Sequence, residues 1–132
     1  SDMSRINLTD DADTVMQKVR KARTDPEVLP SEAAGLEGRP EAANLVGIYA
    51  AMAGTGVDDV LKDFAGEGFG KFKPALGELL VEKLSPINER FVELKQDREQ
   101  LDAILAKGAL KARDLGAPTL DAAYKALGLV RG

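Results

Sequence analysis

The sequence has no cysteine and no histidine. Disulfides, thiol nucleophiles, zinc sites of the Cys/His kind and histidine general bases are therefore excluded. Tryptophan is absent, and only two tyrosines and four phenylalanines occur. An aromatic platform for stacked bases is not built from so few rings. No apolar run reaches the length of a membrane span. The first residues, SDMSRINLTDDAD, are polar and acidic, unlike a signal peptide. What remains is a chain of 132 residues, the size of one domain. A chain of this size buries roughly two-thirds of its unfolded surface and needs no covalent staple. The net charge is −4, a sign that disfavours indiscriminate polyanion binding but leaves room for a local basic patch. Asn7-Leu8-Thr9 fits a glycosylation sequon, yet nothing else points to secretion. The expectation is a cytoplasmic domain.

The chain reads as helices. Asp10 or Asp11 caps a first helix whose stripe is Ala12, Val15, Met16 and Val19. Acids crowd its start and bases its end, in the order the helix dipole favours. Thr24-Asp25-Pro26 stops it. Residues 25–39 carry two prolines and two glycines and read as an unusually long loop. Pro40 opens a second helix, with Leu45, Ile48, Tyr49 and Met52 on one face and Gly54 past its end. Thr55 with Asp58 resembles a capping box for a third helix bearing Val57, Val60, Leu61 and Phe64. After Gly66, Gly68 and Gly70, a long helix is predicted from Phe72 or Lys73, kinked at Pro86. Asp97 and Gln100 start a last long segment, which Pro118 breaks or kinks. Apart from a short extended piece at 5–8, no strand is needed. The fold class is all-α, a bundle of five to six helices.

Catalytic chemistry finds little footing. Gly66-Glu67-Gly68-Phe69-Gly70 follows a helix rather than a strand, and Glu67 would repel a phosphate, so it reads as an interhelical turn. Asp10, Asp11 and Asp13 lack the turn glycine and distal Glu of a calcium loop. The cations are more informative. Lys18, Arg20, Lys21 and Arg23 put four positive charges into six positions. On a helical wheel Lys18 and Lys21 project opposite the apolar stripe, while Arg23 falls near it, where it can cap terminal carbonyls. Lys71 and Lys73 flank Phe72, and Lys107 and Lys111 lie one turn apart with Arg113 on the other side. These side chains suit phosphate contact, with Arg113 suited to a base edge. The alternative is a solvated cationic face on a free-standing helical protein-interaction module with no RNA role. Residues 1–66 carry a net −5 and residues 67–132 a net +1, so the second half repels RNA less.

Several segments, taken in order, resemble one family. Ser4-Arg5-Ile6-Asn7-Leu8-Thr9-Asp10-Asp11 is similar to the stretch after the KMSKS loop of bacterial tryptophanyl-tRNA synthetases. Lys18–Asp25 resembles the family's next helix with its Thr-Asp end, and Arg39–Tyr49 its Asn-Leu-(hydrophobic)-x-Ile-Tyr signature. Gly68–Lys73 and Leu84-Ser85-Pro86-Ile87 resemble its Gly-aromatic-x-x-Phe-Lys and Leu-x-Pro-Ile stretches. Leu101-Asp102-x-Ile104-Leu105 and Gly108-Ala109 resemble its final helix. The resemblance covers nearly the whole chain, but the nucleotide-binding half, its HIGH-like motif and the KMSKS loop are missing. It implies a C-terminal fragment, with residues 1–9 a linker from the catalytic domain and 10–132 the helical anticodon-binding domain.

The resemblance further implies a class I homodimeric parent enzyme that joins tryptophan to its tRNA using ATP with Mg. The cofactor would be held by the missing half, and none by this fragment, which alone would make no adenylate. The implied partners are tRNA(Trp) and the chain's own catalytic domain, without a membrane. The implied tRNA contacts are Lys18, Lys21, Lys71, Lys73, Lys107, Lys111 and Arg113. The helix at 11–24 would act as a lever to the ATP-binding loop.

Overall fold

The computed structural model describes residues 2–130. They form five α-helices: α1 (Ala12–Lys21), α2 (Pro40–Ala53), α3 (Val57–Phe64), α4 (Phe69–Gln96) and α5 (Arg98–Leu127). Short 3₁₀ turns occupy Asp2–Ser4 and Ala33–Leu36. No strand occurs among the described residues, and the segment 5–8 is irregular. The chain divides into two compact units, one ending at Phe91 and the other beginning at Val92.

Local signals account for several helix ends. Asp11 caps α1 by accepting a hydrogen bond from the Thr14 amide at 2.8 Å. Pro40 sits in the first turn of α2, and Gly54 ends that helix with φ 71°, a conformation that penalises a side chain. Asp97 caps α5 through the Gln100 amide at 2.9 Å.

Two boundaries depart from the sequence reading. The cap of α3 is Gly56, not Thr55. Asp58 accepts instead from the Ala33 amide at 2.7 Å, so its carboxylate ties down the long loop. Helix α4 begins at Phe69, one turn early, which brings the Phe69 ring to 6.3 Å from Phe72. Helix α4 runs through Pro86, where a kink and not a break was expected, and α5 runs through Pro118, so the break that was one of two outcomes expected there does not occur. Each proline removes one backbone donor, and the helix continues on its remaining bonds.

The core of the first unit lies among α1, α2, α3 and the first half of α4. Val15, Val19, Leu45, Val46, Leu61, Phe72 and Leu76 are all buried there. Phe72 is the centre of an aromatic cluster. Its ring meets Phe64 edge-on at 5.0 Å and lies 5.6 Å from Tyr49, which meets Phe64 edge-on at 5.4 Å. At Gly77 the helices α1 and α4 come close, since a Cβ there would sit 2.5 Å from Met16 Sδ.

The loop 25–39 is ordered by specific bonds. Leu29 is buried, and its backbone pairs both ways with the α3–α4 turn, donating to Glu67 O and accepting from Gly66 N, each at 2.9 Å. Arg39 grips the loop start. Its guanidinium holds both Asp25 carboxylate oxygens, at 2.6 and 3.0 Å, and donates to the Val28 and Glu27 carbonyls. An ammonium cannot reproduce that fork. Arg39→Lys is therefore expected to lower the melting temperature by about 5 °C. It should also speed cleavage by a glutamate-specific protease at Glu27 and Glu32; an unchanged digestion pattern would show that the fork does not hold the loop.

The second unit is described by itself. Helix α5 has 30 residues and none of them is buried. Ile104, Leu105, Leu115 and Leu127 are exposed. Among the described residues, no helix is long and apolar enough to cross a membrane.

Candidate nucleic-acid interface

The structure distributes the seven candidate cations over three environments. Lys107, Lys111 and Arg113 are exposed on α5. The two lysines are four residues apart, so their Cα atoms are spaced about 6 Å along the axis, close to the spacing of successive phosphates on one strand. Among the described residues none offers them an ion pair. Three exposed cations in seven positions suit charge contact with a backbone of phosphates.

Lys21 and Lys71 are also exposed. Lys71 is paired one turn back with Glu67 at 2.6 Å, a solvent-exposed bond that competing phosphates can break. Lys21 lies with Arg5 and Arg23 around a groove of about 540 Å³, whose apolar side includes Leu45, Ile48 and Leu80.

Lys18 and Lys73 do not present free ammonium groups. Lys18 was expected to face outward, but it is 4% exposed. Its ammonium lies 2.7 Å from Asp10 and 3.2 Å from Asp2. The hydrogen bond to Asp10 is the main reason that its pKa is raised. The Asp10 carboxyl is lowered in turn, chiefly by Lys18. Asp2 is also lowered, first by its hydrogen bond from Asn7 and then by Lys18. The physical reason for the inward turn is nonlocal: residues 2–10 fold back over this flank of α1 and bring two carboxylates to it.

Lys73 donates to the Ala22 carbonyl at 2.7 Å and the Arg20 carbonyl at 3.4 Å. It thereby neutralises the negative end of α1 from another helix. Burial lowers its pKa. This is the capping role that the wheel suggested for Arg23. The Arg23 side chain is 89% exposed and lies 3.6 Å from Glu41.

Sequence reasoning passed over Arg5 as a candidate. It stands at the groove rim with Lys21 and Arg23, and its signal was only its place in the family-like run. Arg20 was noted beside Lys18 and Lys21; it is exposed and lines a second depression of about 410 Å³ with Gln17 and Lys73. The structure thus gathers Lys18, Lys21 and Lys73 around α1, and Lys107, Lys111 and Arg113 on α5. Among the described residues no group of three acidic side chains is arranged to hold a metal ion.

No family model matches the chain. Individual relatives do. The tryptophan–tRNA ligase of Mesorhizobium japonicum is 54% identical over 132 residues, covering 100% of this chain and 37% of the relative. That of Caulobacter vibrioides is 59% identical over 128 residues, 97% of this chain and 37% of its own length. That of Rickettsia conorii is 39% identical over 130 residues, 98% of this chain and 39% of its own length. Matched from end to end at this level of identity, the chain is similar to one segment of tryptophan–tRNA ligases and spans about 37% of the length of the first two of these relatives.

Proposed function

We propose that the chain is the C-terminal helical domain of an enzyme that attaches tryptophan to its tRNA using ATP. In this reading it binds the anticodon region of the tRNA and couples that binding to a catalytic half outside this chain. The observation that carries the reading is identity of 54% to such a ligase along all 132 residues. The exposed triad Lys107, Lys111 and Arg113 supports it, because among the described residues no carboxylate is paired with these cations. On the first unit Lys21 and Lys71 are further candidate contacts, while Lys18 and Lys73 act structurally, through α1.

The chemical step belongs elsewhere. ATP with Mg and tryptophan would be held by the catalytic half. The sequence has no cysteine and no histidine to serve as nucleophile or base, and in this reading the chain supplies binding and positioning alone. The parent enzyme is read as a cytoplasmic homodimer. Helix α1 is read as the lever through which domain closure reaches the ATP site. The purified chain should show no tryptophan-dependent ATP–pyrophosphate exchange; measurable exchange would overturn this assignment.

The direct test is binding to a tRNA transcript bearing the tryptophan anticodon, and to one with that anticodon changed, across a salt series. Selective binding weakened by salt is expected. Replacing Lys107, Lys111 and Arg113 together by Ala should lower the slope of log Kd against log salt by about one for each phosphate that the variant no longer neutralises, three at most. An unchanged slope would remove α5 from the interface.

One observation favours a second reading, a protein-interaction module without an RNA role. Helix α5 exposes Ile104, Leu105 and Leu115, which suit a protein partner. Equal or absent binding to both transcripts at low salt would select that reading.

A further inference from the structure

Residues 2–9 are held differently from the rest of the first unit. Two of their backbone hydrogen bonds are local, Arg5 N to Asp2 O at 3.5 Å and Asp10 N to Asn7 O at 3.0 Å. Side chains tie the segment to the helices. Lys18 of α1 lies between Asp2 and Asp10. Asn7 completes this cluster, its amide donating to Asp10 at 2.8 Å and its side chain to Asp2 at 3.0 Å. Farther along, Asn88 of α4 donates to the Leu8 carbonyl at 2.8 Å. Ile6 packs on the core, but Met3 and Leu8 are exposed. The segment therefore adds little apolar burial of its own.

It nevertheless forms a wall. Met3, Arg5, Ile6 and Leu8 make one side of the 540 Å³ groove, and α1, α2 and α4 make the rest. Leu45, Leu76 and Leu80, on the helical side, are each buried to within a few per cent.

We infer that residues 2–9 form a latched strap: Lys18, which grips Asp2 and Asp10 at its two ends, and Asn88, which holds the Leu8 carbonyl, keep it along the groove, and its release uncovers Leu45 and its neighbours without unfolding the helices. The physical basis is an imbalance. The strap is kept in place by a few polar bonds, whereas the helices beneath it are kept by the buried core. Opening of the strap is thus a local event, separable from global unfolding. While the latch is closed, the strap and α1 move as one body; when it opens, they move independently. Lys18 is a positioning residue in this scheme. This inference rests on the geometry of the first unit and stands apart from any RNA role.

The chain has no cysteine, so an introduced one is the only thiol. Leu45→Cys places it in the groove. Val60→Cys places it in α3, buried and outside the groove lining. Maleimide labelling of each is followed with Lys18 intact and with Lys18→Met. The latch requires that in Lys18→Met labelling at position 45 accelerate about tenfold or more beyond whatever acceleration position 60 shows. Equal acceleration at both positions would mean that Lys18 stabilises the whole unit, and the strap would be discarded. No acceleration at either would show that the strap stays closed without Lys18, with the same consequence. If Lys18→Met does not fold, Asn88→Ala carries the test alone. It leaves the ion pairs intact and must accelerate position 45 selectively; failure to do so overturns the proposal.

Discussion

Phe72→Ala is expected to destabilise the first unit by about 3–5 kcal/mol. The ring is fully buried and stands against Tyr49, Phe64 and Phe69. Its removal takes away all three ring–ring interactions and leaves a cavity between α2, α3 and α4. The helices around it are held by capping and by packing from several sides, so they cannot collapse fully into the space. Single domains have only about 5–15 kcal/mol in total, and a destabilisation of this size should lower the melting temperature by roughly 20 °C. Phe72→Leu keeps most of the volume and should cost about a third as much. Calorimetry on both variants tests the argument. Similar melting temperatures for the two would mean that the cluster acts through something other than packing volume.

The second large effect is expected at Lys18→Met, and its signature is in the pH dependence. In the native protein the Asp10 and Asp2 carboxyls titrate below their ordinary value, because Lys18 and Asn7 favour the charged forms. Their contribution is present above the usual carboxylate range and is lost as pH falls through the lowered values. Without Lys18, two carboxylates approach each other with no cation between them. Their titration then moves upward, and folding favours the protonated forms. The variant should melt on the order of 10 °C lower at pH 7. That difference should shrink as pH falls through the usual carboxylate range, where the variant's carboxyls take up protons, and shrink further only as pH passes the lowered values of the native protein. Thermal denaturation from neutral to acid pH reads this directly. A difference that stays constant with pH would show that Lys18 acts through its aliphatic stem alone. Asp10→Asn added to the variant should recover part of the stability at pH 7.

These two residues also show where the sequence could be read and where it could not. Phe72 lies four positions before Leu76, so apolar spacing places it on the buried face, although it first stood out only as the helix start between Lys71 and Lys73. The caps at Asp11, Gly54 and Asp97 were equally readable, because each depends on atoms within a few positions. Lys18 was misplaced because a helical wheel knows only its own helix, and the strap that covers it comes from elsewhere. Asp58 failed for the same reason: its carboxylate serves Ala33, twenty-five residues earlier in the chain. Lys73 is bonded to carbonyls fifty-one and fifty-three residues away, a use no local pattern announces. Among the candidate contacts, Lys107, Lys111 and Arg113 stood out as charges at helical spacing, and their exposure agrees with that pattern. Helix α5 likewise repeats apolar residues at helical spacing, at Leu101, Ile104, Leu105 and Leu115. That spacing reports that such a face exists, and not that this chain supplies something to cover it.

The shortage of aromatic residues has an optical consequence. With no tryptophan, tyrosine is the strongest fluorophore in the molecule. One tyrosine falls in each unit. Tyr49 sits against Phe64 and Phe72 in the first, and Tyr124 lies on α5 in the second. Tyr124→Phe would leave an emission that belongs to the first unit alone, and Tyr49→Phe one that belongs to the second. The chain thus carries a separate intrinsic lamp in each unit, and events in one can be watched without adding a dye to the other.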